Sequence, residues 1–227
     1  MRGYEALLTA PMYPLALPDA GRAPRVLALG AHADDLEIGA ACTLRRLVRE
    51  RGAQVHWVVA TAEGERAVEA ERSARAWLGD AVEVELWDHP VSLLPTALES
   101  LKADMDRLAR RLEPDLVLSH ALHDRHQDHR TLAEVTWQAF RSHTVLEYEI
   151  PKFEGDLLTP SAYVPLDEAE VEAKCEHLLA HFPSQAHRSW FTADTFRALA
   201  RLRGIECQAP GGFAEAFHAR KFTLALA

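Results

Sequence analysis

At 227 residues the chain has material for one well-buried core or at most two small domains. Hydrophobic residues make up 48% and charged residues 26%, an ordinary balance for a globular protein, and no run of about 18 apolar residues is present to span a membrane. A net charge of −9 with no basic block disfavours a nucleic-acid partner, and three scattered cysteines without CxxC spacing argue against a disulfide framework or a thiolate zinc site.

Residues 1–24 form a proline-bearing arm whose apolar stretch is broken by Pro11, Pro14 and Pro18. That is not a secretory signal layout, so a reducing, cytoplasmic location is the expectation. Strand-like and helix-like patterns then alternate. Residues 25–30 (RVLALG) are a short apolar run, and helical periodicity follows through Ile38, Cys42, Leu44, Leu47 and Val48 to Gly52, a C-cap. The second strand is expected at 54–61 (QVHWVVAT), a helix at 66–78 closed by Gly79, and the third strand at 81–87 (AVEVELW). An amphipathic helix at 95–112 leads through Pro114 to a fourth strand at 115–120, followed by a helix at 132–141 and a fifth strand at 144–149. Beyond Pro151 come helical patterns at 167–182 and 192–203 and a last strand-like segment at 213–226. Alternation of this kind predicts an α/β, Rossmann-like fold: one domain over 25–227, with a mostly parallel sheet covered by helices on both faces.

In open α/β sheets, ligands sit beyond the carboxyl ends of the strands. Two chemically loaded loops fall there: 30–39 (GAHADDLEIG) after the first strand and 119–130 (SHALHDRHQDHR) after the fourth. An acid cluster is most often a solvated loop tip, but the two loops together offer the nitrogen and oxygen donors that zinc favours. A catalytic zinc takes about three protein ligands and keeps one position for water. His32 and Asp35, three apart at the strand-to-helix turn, can converge on one ion. Asp34 would lie beside that ion, placed as general base for its water. His126 and His129 are also three apart and share a face if their loop enters a helix near Asp128. One of them would ligate while the other reaches the substrate.

The segment AHADDLEIGAACTL resembles the AHPDDxExGxGGTL motif of the LmbE-like, or PIG-L-like, zinc-dependent N-deacetylases. PDLVLSHALHDRHQDHR, residues 114–130, is similar to that family's second motif, PDxVxx…DxHxDHR. Weaker similarity follows in TAEGE (61–65), RAVEAERSARAWLG (66–79), HFPSQ (181–185) and FAEAF (213–217). The resemblance covers about residues 25–141 and implies metal-dependent hydrolysis of the acetamide of an N-acetylglucosamine-type sugar or glycoconjugate. It implies Zn2+, or another divalent ion, held by His32, Asp35 and His129, with Asp34 as general base. It further implies that His126 stabilises the oxyanion and protonates the leaving amine, with Asp128 orienting His126. Where the family has proline after the first histidine this chain has Ala33, and Ala40, Ala41 and Cys42 replace small glycine-rich positions.

Other residues carry weaker expectations. Asp124 is read as a carboxylate orienting His129, Arg66 as a contact for a substrate hydroxyl or phosphate, and His218 as reaching the pocket from the last segment. Glu37 is assigned to the helix dipole, and His120 and His123 are read as polar loop residues. Trp190, in a loop, is read as packing, with sugar stacking as the alternative. Substrate choice is expected in the loops after Thr61, after Trp87 and around 151–163. The rival class is a catalytically silent metal-containing protein of the same fold that binds a sugar or regulates. A nucleotide site lacks GxGxxG spacing, and a Mg²⁺ phosphotransferase would not need the histidines. Partners are thus a small N-acylated amino sugar or glycoconjugate, with self-association open.

Overall fold

The computed structural model describes residues 21–223, so residues 1–20 of the arm and 224–226 of the last strand-like segment lie outside the described residues. Seven strands form one sheet: β1 (Arg25–Gly30), β2 (Gln54–Val59), β3 (Val82–Leu86), β4 (Leu116–His120), β5 (Val145–Tyr148), β6 (Ala162–Leu166) and β7 (Phe213–Ala219). Their spatial order is β3-β2-β1-β4-β5-β7-β6. The first five are mutually parallel, and β7 runs antiparallel to both β5 and β6. Among the described residues six α-helices lie in chain order: α1 (Asp35–Arg51), α2 (Gly64–Leu78), α3 (Leu98–Arg111), α4 (Gln127–Ala139), α5 (Glu168–His181) and α6 (Ala193–Glu206). None of them is long and apolar enough to cross a membrane.

The central strands read as unbroken apolar runs because helices cover both their faces. Along β1, Val26 and Ala28 enter one core with α1, α2, α5 and α6, while Leu27 and Leu29 enter the other with α3 and α4. The α1 helix ends where the pattern predicts, at Gly52, whose φ of 63° caps the last carbonyls from the left-handed region. Two expectations shift. The α4 helix starts at Gln127 rather than 132, because its first turn consists of the polar DHR residues and shows no apolar period. And 162–166 is a strand where the sequence pattern suggests a loop; β6 is a half-exposed edge strand interrupted by Pro165, a position tolerated only at an edge.

The chain leaves β1 in one direction toward β2 and reaches β4 on its other side, so the crevice of this fold opens between the carboxyl ends of β1 and β4. Both histidine-rich loops begin there.

Candidate active site

His32 sits on the turn between β1 and α1, and Asp35 opens α1, so their side chains meet above the helix N-terminus. His32 Nδ1 lies 3.3 Å from Asp35 Oδ2 and 3.0 Å from Nε2 of His129, in the first turn of α4. His129 Nε2 in turn is 3.5 Å from Asp35 Oδ1. Ligands about 2.0–2.2 Å from a tetrahedral ion stand about 3.3–3.5 Å apart; the two edges to Asp35 have that size but end on different carboxylate oxygens, and the His32–His129 edge is shorter. His126 joins His32 and His129 as one potential ligand group, and His120 joins Asp35 and His129 as another.

The surrounding groups set the donors for that task. Asp124 Oδ2 lies 2.9 Å from His129 Nδ1, which places the proton there and turns the Nε2 lone pair toward the triangle. Burial, reinforced by the neighbouring His120, brings His129 down to about 3, so it is neutral, as a ligand must be. Burial works the other way on Asp35, but His129, His120 and His32 hold it well below the ordinary carboxylate range. His32, against its burial, is pushed up to about 10 by Asp35 and Asp128. A cation seated on the triangle would displace that proton and meet the same carboxylate charge.

Asp34, the residue before Asp35, is paired with an arginine. Its Oδ1 accepts from Arg66 Nη2 at 2.5 Å, and burial raises its carboxyl against the pull of that guanidinium. Arg66 is itself held by Glu69, whose carboxylate also takes the Ser184 N–H at 2.9 Å and its hydroxyl at 2.6 Å. The two faint sequence signals at 66–79 and 181–185 thus come together next to Asp34.

Asp128 departs from its expected partner. Its carboxylate accepts from the Ser92 and Leu94 N–H groups at 2.6 and 3.0 Å and lies 3.0 Å from His32 Nε2. His126 is the N-cap of α4, and its Nδ1 accepts the Asp128 backbone N–H at 3.2 Å. The earlier helix start decides this: residue 126 becomes a cap, and the side chain of 128 swings back to orphan N–H groups of the 92–94 turn. Burial and the charge of His32 lower His126, favouring its neutral form with the proton on Nε2.

Arg66, Asp34, His126 and His129 all line one cleft of about 680 Å³, with Lys152, Phe153 and Trp190 on its walls. His218 does not reach it: on β7, opposite Glu147, it packs edge-on against His123 with ring centres 4.5 Å apart. Glu37 is fully buried, receives the Ser73 hydroxyl, and is pushed up to about 8 by burial, so it is no solvated dipole partner. His120 is the clearest residue that sequence reasoning passes over. As the last residue of β4 it is fully buried, 3.1 Å from Asp35 Oδ2 and stacked at 3.9 Å on His129. Its place at the end of an apolar parallel strand is the available signal. A smaller cavity of about 250 Å³ lies at the opposite end of the strands, between Arg25, His56 and Arg111. Neither of the two potential ligand groups found among the described residues lies there.

The family described as "PIG-L: GlcNAc-PI de-N-acetylase" matches residues 27–140, half of the chain, which includes both loops of the triangle. The chain belongs to the PIG-L family. No curated protein matches the sequence. The fold is shared with the conserved protein TT1542 from Thermus thermophilus, at 21% identity and a TM-score of 0.72 over 89% of this chain and 97% of that one. It is shared as well with the N,N'-diacetylchitobiose deacetylase from Pyrococcus horikoshii, at 19% identity and a TM-score of 0.63 over 86% and 83%. The 4-carboxy-2-hydroxymuconate hydratase from Pseudomonas putida has the same fold, at 20% identity and a TM-score of 0.63 over 90% and 100%. Three structures this distant speak for fold alone, and the hydratase shows that the PIG-L fold carries more than one reaction.

Proposed function

We propose that this PIG-L family chain is a metal-dependent N-deacetylase that hydrolyses the acetamide of an N-acetylglucosamine-type sugar or glycoconjugate. The observation that supports it is the His32–Asp35–His129 cluster, which lines one cleft together with Asp34. His32, Asp35 and His129 would hold the ion, and its donor set of two imidazoles and a carboxylate suits zinc while admitting other divalent metals. A bound divalent ion would supply Lewis acidity and bring a water's pKa from about 15.7 toward about 7.

The chain's own groups do the rest. Asp34 takes the proton of the attacking water; its burial raises its basicity, and Arg66 keeps it oriented and ionised. His126 presents Nε2–H to the oxygen of the acetyl carbonyl as charge develops there. The amine leaves with a proton delivered from this pair, by His126 once it is charged or by return from Asp34. Asp128 acts on His32 and on the 92–94 turn, and Asp124 on His129.

The test is a deacetylation screen across N-acetyl sugars, scored by released amine, with the chelated and the metal-loaded protein. Amine release that requires metal and falls by roughly 10²–10⁴-fold in Asp34→Asn is the expected result. Release that survives chelation, or full turnover in Asp34→Asn, would overturn it.

A further inference from the structure

Two large apolar side chains stand exposed on the rim of the cleft. Phe153 is 78% exposed and Val91 48%, and both line the cleft that holds His32, Asp34, His126 and His129. Each is the tip of a loop pinned to a carboxylate behind the metal triangle. Lys152 Nζ donates to Asp124 Oδ2 and Asp156 Oδ1, both at 2.9 Å, and Asp156 Oδ2 accepts the Arg125 N–H at 2.6 Å. The 150–156 loop is therefore fastened on both sides of Phe153. On the other wall, the Ser92 and Leu94 N–H groups are held by Asp128, and Gln127 Nε2 donates to Ser92 O at 2.6 Å. Ser92 has φ of 62°, a conformation that costs a non-glycine residue about 1–3 kcal/mol and persists where its surroundings over-determine it. Trp190, half-buried and seated edge-on against Phe191 at 5.6 Å, completes the apolar rim.

The charges at the mouth point the same way. Arg66 and Lys152 are committed to Asp34 and Glu69, and to Asp124 and Asp156. Arg188 lines the cleft together with the exposed carboxylates of Glu63 and Glu154. That is no cradle for a phosphate or carboxylate, which calls for converging donors. A cleft of about 680 Å³ also falls within the roughly 300–1,000 Å³ range that takes a drug-sized ligand rather than one small ring.

We infer that the substrate carries, next to its acylated amine, a neutral apolar substituent, aryl or alkyl, that packs on Phe153, Val91 and Trp190. The inference deepens the deacetylase reading and rests on it. The two loops then have one purpose: the carboxylates that set the metal donors also hold the apolar walls at a fixed distance from them.

The experiment compares the phenyl glycoside, the methyl glycoside and the 1-phosphate of N-acetylglucosamine, by calorimetric binding and by amine release, in the metal-loaded protein and in Phe153→Ala. The phenyl glycoside is expected to bind roughly tenfold or more tightly than the methyl glycoside, the scale of one well-filled apolar contact. Phe153→Ala should collapse that ratio and Phe153→Trp should keep it. A ratio near one in the native protein, an equal fall for both glycosides in Phe153→Ala, or a preference for the 1-phosphate overturns the inference. A phenyl preference in binding without release of amine from any of the three would keep the apolar rim and count against the hydrolase reading.

Discussion

Replacing Gly39 by alanine tests how tightly the first motif is built against the sheet. In an exposed helix, Gly→Ala would be favourable by about 0.8–1.0 kcal/mol. Here a Cβ would lie 2.7 Å from Tyr148 Cγ and 3.0 Å from its Cβ, and closer still to Cδ2. Carbon atoms prefer about 3.5–4.0 Å, so the ring must move by roughly an ångström. Tyr148 is fully buried and its hydroxyl donates to Leu29 O at 2.7 Å, so the ring has no free direction. Overpacking of this kind costs about 1–3 kcal/mol, and a loosened hydroxyl adds about 1 kcal/mol. Sterics thus exceed propensity, leaving a net loss of about 1–3 kcal/mol. At about 2–4 °C per kcal/mol for a chain of this size, Gly39→Ala should melt roughly 2–12 °C lower. Thermal and urea unfolding measure it, and the double variant with Tyr148→Leu should recover most of the loss. If Gly39→Ala is as stable as the native protein, or more so, the packing argument is wrong.

Three more outcomes follow from the same structure. Zinc at a thousandfold excess over its Kd should raise stability by about 4 kcal/mol, seen as a higher Tm reversed by chelation, and Asp35→Ala should abolish the shift. An unchanged Tm on loading would count against the triangle as a metal site. Glu215 accepts from Lys174 Nζ at 2.8 Å and from the Cys42 and Thr43 N–H groups at 3.0 and 2.7 Å, all buried. Glu215→Ala leaves the ammonium unpaired and should cost about 3–5 kcal/mol by urea unfolding; a loss under about 1 kcal/mol would refute that. Burial, with the neighbouring His181, brings His177 down to about 4 in the folded protein, below the ordinary value near 6.5. The unfolded chain then takes up the proton first, so stability should fall as pH drops from about 6.5 toward about 4. His177→Gln should flatten that window relative to the native protein, and parallel pH curves for the two would show that the group does not titrate as argued.

Much of this protein is local in origin and is therefore open to sequence reasoning. The apolar runs of β1, β2 and β4 have no polar face because helices cover both sides, and that signature needs no tertiary knowledge. Gly52 and the 3.6-residue period of α1 likewise arise within a few turns of chain. The two loaded loops can be placed at one sheet edge because parallel strands put all their carboxyl ends together. What tertiary structure alone decided are contacts between segments far apart in sequence. Asp128 holds His32 and the 92–94 turn because α4 begins five residues before its apolar period shows. His120 reads as a loop residue until β5 brings Tyr148 against it, 3.1 Å from its Nε2. Arg66 reads as a substrate contact or an exposed helix-start arginine, and only the fold closes Asp34, Glu69 and Ser184 around it. Periodicity reports which face of an element is buried, whereas the partner of a buried charge is chosen by whichever distant segment folds onto it.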